Sequence, residues 1–347
     1  MTTMICKMKK HAEERNQLCI CLSRIAKERD IKNKEKWELG EKTQVKLDIF
    51  TMPNHIKRMF GDFLKTPKYT ELATLKGHTD SVRCLTLHEN KLYSGSCDNT
   101  IRIWNTETHE EIATLRGHTG SVNCLTHFKN KLYSGGDNTI RIWNIETYEL
   151  VATLEGHTAG VECLTLNDNK LYSGSWDHTI RVWDTETYEQ IATLTGHTGY
   201  VMCLTHFKNK LYSGSGDRTI RIWNIETYEL VATLRGHTGN VNCLTLHENK
   251  LYSGSHDNTI RIWNTKTYEE IATLEGHTGW VFCLTLHENK LFSGSVDKTI
   301  RIWNTETYEE IATLEGHTHF VNCLTLHENK LFSGGAFRDN TIRVWKI

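Results

Sequence analysis

The chain has 347 residues, 38% of them apolar, with 41 Lys and Arg against 42 Asp and Glu and a formal net charge of −1. That balance hides an asymmetry: residues 1–70 hold 16 basic against 9 acidic side chains, and residues 71–347 hold 25 against 33. The acidic remainder disfavours nucleic acid as the main ligand, and the odd count of eleven cysteines, with no secretory apolar segment and no long apolar run, points to a reducing compartment and no membrane span.

In residues 1–70, Ile5, Met8, Ala12, Cys19, Leu22 and Ala26 recur near heptad spacing, interrupted by Arg15, and predict a helix over 3–29. The Lys/Glu-dense stretch 31–46 reads as a solvated linker or further helix. Cys6, His11, Cys19 and Cys21 match no common zinc spacing. A second stripe, Ile56, Phe60, Phe63 and Leu64 after Pro53, has helical spacing. Pro53, Ile56, Phe60 and Leu64 resemble the opening helix of the F-box family, which binds an adaptor of ubiquitin ligases. Six residues separate Leu64 from Glu71, too few for the rest of an F-box, so the expectation is a helix packed against the domain that follows.

From Glu71 to the C-terminus a unit of about 40 residues recurs seven times, opened by Gly-His (first Gly77-His78, last Gly316-His317) and closed by Trp (first Trp104, last Trp345). Each unit carries four short runs rich in β-branched and aromatic residues, in the first one Leu72–Leu75, Val82–Leu87, Lys91–Ser96 and Thr100–Trp104, separated by turns such as Glu89-Asn90 and Asp98-Asn99. Four strands per unit, seven units, predict an all-β, seven-bladed propeller of four-stranded antiparallel blades over 71–347, behind a basic, mainly helical segment 1–70.

These residues resemble the WD40 family over 277 of the 347 positions. The family's phasing implies that the lone run Leu72–Leu75 pairs with the last sheet and closes the ring. The resemblance also implies a buried hydrogen-bonded tetrad in every blade: His78, Ser94, Asp98 and Trp104; His157, Ser173, Asp177 and Trp183; His277, Ser293, Asp297 and Trp303; and their equivalents. Two blades depart from the spacing. Ser134 to Asp137 is one residue shorter than the interval in the first blade, and Ser333 to Asp339 is two longer. A Ser-His-Asp set that recurs seven times beside a Trp reads as structure rather than catalysis, so no enzyme activity and no cofactor are expected.

The units are near copies, which makes their differences informative. Variation concentrates at the residue before the Val of GHT-x-x-Val-x-Cys (Ser81 in the first blade; Tyr200, Trp280 and Phe320 later), the residue after it (Arg83, Glu162, Met202, Phe282) and the residue before the turn Asp (Gly136, Trp176, His256, Arg338). In the resembled fold these sites lie on one face around the ring, so they are expected to be solvated and to form a recognition surface for a protein or peptide. Blades 2 and 4 share a variant text that continues into IRIWNIETYELVATL, consistent with duplication in two-blade blocks. Seven cysteines, from Cys84 to Cys323, occupy one strand site per blade, where a small apolar residue is wanted; Cys84 and His88 stand about 13 Å apart along a strand, too far to share a metal ion.

The expected function is a non-enzymatic interaction scaffold in the cytoplasm, with the nucleus as the other compartment, whose residues 1–70 recruit a second protein or oligomerise. The rival is a ubiquitin-ligase substrate receptor of F-box/WD40 type. A G-protein β-like subunit shares the order of an N-terminal helix before seven blades, but its specific loop sequences are absent here.

Overall fold

A computed structural model describes residues 69–347. The predicted helix 3–29, the stretch 31–46, the Cys6/His11/Cys19/Cys21 set and the F-box-like residues 53–64 lie outside the described residues. Among the described residues twenty-eight strands, β1 (Thr70–Leu75) to β28 (Ile342–Lys346), form seven four-stranded antiparallel sheets. In the first blade the order is Val82–His88, Lys91–Ser96, Thr100–Asn105, Glu111–Arg116, from the inner edge outward. The seventh is completed by β1, which pairs antiparallel with β28 through Thr74↔Arg343 and Leu75↔Ile342. Ring closure by the first strand is therefore observed. Among the described residues there is no helix, and so none long and apolar enough to cross a membrane.

The core lies between blades rather than within them, because a single four-stranded sheet has two faces to cover. Tyr93, Ile101, Ile103 and Leu115 of blade 1 pack with Val122, Leu132 and Trp143 of blade 2, and Phe332 and Val344 of blade 7 pack with Val82, Leu92 and Trp104 of blade 1. The second strand of each blade is buried on both faces, whereas the outer strand is largely exposed. That explains why Lys91–Ser96 does not alternate in polarity.

Two close approaches set the spacing. A Cβ on Gly95 would lie 2.5 Å from Cys84 Sγ and 2.6 Å from Val122 Cγ1 of the next blade, so only glycine lets adjacent sheets meet there. The seven strand cysteines face the same seam. Each thiol lies 3.6–4.0 Å from a Val carbonyl of the neighbouring blade, from Cys84 to Val122 round to Cys323 and Val82. The site thus wants a weak donor as well as a small apolar group.

On the inner strand, Val82 faces Ser96 and Cys84 faces Gly95, which leaves Arg83 as the extra residue of a β-bulge. The same shift recurs at Glu162, Met202, Asn242, Phe282 and Asn322. Each of these bulge residues is half-buried or buried.

Candidate interaction face

Each Gly-His loop crosses the end of its own blade, bringing His78 Nδ1 to 2.7 Å from Asp98 Oδ2 and Nε2 to 2.7 Å from Ser94 Oγ, with Trp104 Nε1 donating to the same Oγ at 2.8 Å. A neutral imidazole satisfies the whole chain: the indole N–H donates to serine, serine donates to Nε2, and Nδ1–H donates to the carboxylate. Blades 3 and 6 repeat it, with His157 Nδ1 and His277 Nδ1 each 2.7 Å from Asp177 and Asp297, and Trp183 and Trp303 each donating to Ser173 and Ser293 at 2.8 Å. The aspartate also accepts from the loop. Asp177 takes bonds from Thr158 N, Thr179 N and Thr179 Oγ1. Burial alone would raise its pKa, but these donors and His157 hold it down at about 2. Every serine of the set is fully buried beneath its tryptophan, so none presents a nucleophile to solvent.

Blades 2 and 7 show what their altered spacing does. In blade 2 Gly136 stands where blade 1 has Ser96, so the serine that caps the turn is missing. Asp137 shifts toward Thr119 Oγ1 (2.6 Å), and its contact with His118 lengthens to 3.4 Å. With that partner weakened, burial pulls the His118 pKa from 6.5 down to about 4. In blade 7 His317 and Asp339 stand 3.2 Å apart.

The unfolded chain binds a proton at His118 below pH 6.5 and the folded chain only near 4, so this stabilisation is fully present above pH 6.5 and declines as the pH falls to about 4. Urea midpoints should fall over that window, and the His118 ring should remain neutral by NMR at pH 5. Titration of His118 near 6.5 would contradict this reading.

Around the same end of the ring the variable side chains gather into two clusters. Trp176 lies 5.7 Å from Tyr200 between ring centres, with His178 5.6 Å from Tyr200. The second runs through blades 5 to 7. His256 stacks on Trp280 at 4.0 Å, Trp280 meets Phe282 edge-on at 6.2 Å, Phe282 lies 6.4 Å from Phe320, and Phe320 meets Phe337 at 5.4 Å and His319 at 4.1 Å. Trp176, Tyr200, Trp280 and Phe337 are 43% to 61% exposed.

Several expected positions lie elsewhere than a solvated rim. The residue after Val is half-buried or buried in every blade, with Met202, Phe282 and Asn322 among them. Arg83 Nη2 reaches Glu162 Oε1 at 3.0 Å, joining blade 1 to blade 3, and Trp176 Nε1 donates to the other Glu162 oxygen at 3.0 Å. Burial nevertheless keeps the Glu162 pKa above its ordinary value, against the pull of Arg83 and Trp176. Asn123, Asn242 and Asn322 donate to Val carbonyls of the next blade at 2.9–3.2 Å. Ser81 is buried and accepts from Phe337 N at 2.7 Å.

The alignment before the turn Asp also changes in two blades. The backbone bond that Trp176 N makes to Gly160 O is made in blade 7 by Ala336 N to Phe320 O, so Ala336 is the structural equivalent, and Phe337-Arg338 is the two-residue insertion. In blade 2 Gly136 takes the preceding place, and the variable residue itself is deleted. A sequence count from Asp misplaces both, because the length difference falls inside the turn.

A family model described as "WD domain, G-beta repeat" matches residues 69–105, 109–144, 148–184, 188–224, 228–264, 268–304 and 308–346. The chain belongs to the WD40 repeat family. Among solved structures, this WD40 protein is similar to the computationally designed Ika8 protein at TM-score 0.66 and 29% identity, over 80% of this chain and 99% of that one. Among curated proteins it is 52% identical over 44 residues to "Probable E3 ubiquitin ligase complex SCF subunit scon-2" of Neurospora crassa (13% of this chain, 7% of that protein). It is 54% identical over 37 residues to "Probable E3 ubiquitin ligase complex SCF subunit sconB" of Emericella nidulans (11% and 6%). The chain thus spans less than a tenth of the length of the curated relatives it matches.

Sequence comparison of the WD40 units overlooked three contributors to the aromatic clusters. His178 follows the turn Asp, His319 sits two residues before Val, and Phe337 enters with the blade 7 insertion. His319 was legible, since the other blades carry Asp80, Ala159 or Gly at that place. Phe337 had no counterpart to be compared with. Among the described residues no group of three or more His, Cys, Asp or Glu side chains could hold a metal ion, and all eight described cysteines are free thiols.

Proposed function

We propose that this WD40 protein is a non-enzymatic scaffold that binds a protein or peptide through its aromatic face and a second protein through the basic sequence that precedes β1. The observation that carries this is the unbroken run of ring contacts from His256 through Trp280, Phe282 and Phe320 to Phe337, which spans three blades and leaves Trp280 and Phe337 in solvent. No fold requirement explains it, because Gly216 takes the place of His256 in blade 4 on the same backbone bond pattern. Aromatic anchors of this kind carry most of the affinity in protein interfaces. Arg83, Glu162 and Met202 belong to this reading as the inner floor of the face. The free thiols support a reducing compartment such as the cytoplasm. Capture of partners by the full-length chain and by its Trp280→Ala/Phe337→Ala variant tests the proposal.

A second reading is favoured by the names of the two fungal relatives, both SCF subunits, together with the F-box-like text at Pro53, Ile56, Phe60 and Leu64. As a substrate receptor, the full-length chain should pull down an F-box-binding adaptor, and Phe60→Ala/Leu64→Ala should lose it. Failure of the unsubstituted chain to recover any adaptor would remove this reading and leave the scaffold standing.

A further inference from the structure

The seven outer strands carry a second pattern that the aromatic face does not use. On the third strand of every blade an arginine stands opposite a threonine of the outer strand, and in five blades that strand also supplies its partner. Arg102 bonds Glu111, Arg181 bonds Gln190, Arg261 bonds Glu270 at 2.5 Å, Arg301 bonds Glu310 and Arg343 bonds Glu71 at 2.6 Å. A threonine three residues on completes the site, as Thr273 Oγ1 donates to Glu270 at 2.6 Å.

In blades 2 and 4 the partner is replaced by Leu150 and Leu230. Arg141 of blade 2 falls back on Asp137 at 3.9 Å. Among the described residues Arg221 of blade 4 makes no ion pair or hydrogen bond through its side chain, and the Thr233 side chain opposite it has none either, although the register Arg221↔Thr233 matches that of Arg261↔Thr273. Beside them the doublet Leu230-Val231 is 45% and 47% exposed. The outer strand Leu230–Arg235 is the edge of its sheet, with one row of backbone groups unpaired among the described residues.

We propose that this edge of blade 4 is a docking site for an extended, acidic and apolar peptide segment of a partner protein. The segment adds as a fifth strand, packs its apolar side chains on Leu230 and Val231, and places a carboxylate between Arg221 and Thr233. The chain specifies the occupant's chemistry, since four of its own blades fill this place with a glutamate. The surface is distinct from the aromatic face.

Fluorescence anisotropy of the full-length chain with a fluorescein-labelled hexapeptide of alternating valine and glutamate tests it, against a valine–lysine counterpart. Binding should be saturable, weakened by salt and confined to the acidic peptide. Leu230→Glu should reduce it by about tenfold or more by restoring an internal partner, as should Arg221→Gln. Because other blades accept glutamate at this position, Leu230→Glu should fold, which its unfolding midpoint verifies. Trp280→Ala should leave the affinity unchanged. Absence of saturable binding, or equal affinity of the parent and Leu230→Glu, would overturn the proposal. So would self-association that Leu230→Glu abolishes without any peptide binding, which would make the occupant a second copy of the chain.

Discussion

Asp177→Ala should lower the stability of the propeller by about 3–5 kcal/mol. The carboxylate accepts from His157 Nδ1 at 2.7 Å, Thr158 N at 3.1 Å, Thr179 N at 2.9 Å and Thr179 Oγ1 at 2.6 Å. Removing it strands a buried imidazole and frees both ends of the loop that clips strand to strand. Leaving a buried donor unsatisfied costs more than the bond was worth, which is why four modest bonds sum to a large effect. Asp177→Asn retains one acceptor oxygen and should lose less. Denaturant midpoints of the three proteins check the order, and an Asp177→Ala protein as stable as the parent would show that His157 and the loop find other partners.

Trp280→Ala should weaken partner binding by about 2–4 kcal/mol while changing unfolding stability by less than about 1 kcal/mol. Its indole stacks on His256 and touches Phe282 edge-on, but nearly half its surface faces solvent, so truncation removes little core. The same substitution at Trp176 should behave differently. Trp176 is a hydrogen-bond donor to Glu162, and its loss leaves that poorly solvated carboxylate with Arg83 alone. Titration calorimetry with a captured partner, paired with thermal unfolding, separates the two. A Trp280→Ala protein that binds as the parent does would end the case for the aromatic face.

The contrast between the two tryptophans shows what kind of information a repeat sequence holds. Blade number and the four strands of each blade were legible because the pattern repeats seven times, whereas ring closure by Leu72–Leu75 followed from the resemblance to the WD40 family and is seen in the pairing of β1 with β28. The tetrads followed from the same resemblance, and each is local, its bonds linking residues 9 to 22 apart. The face was only partly so. Trp176 and Trp280 both stand out by comparison between blades, yet nothing in the text of blade 3 says that Glu162 will meet Arg83, 79 residues earlier.

Sequence alone thus determined which residues vary and which frame carries them, because periodicity and local hydrogen bonding depend on near neighbours. Only the tertiary structure decided where each variable side chain goes. A β-bulge half-buries or buries the residue after the inner-strand Val in six blades, and a one-residue deletion or two-residue insertion in a turn changes which residue occupies the rim. Neighbours across blades then convert side chains of the same apparent role into a floor, an anchor or a brace.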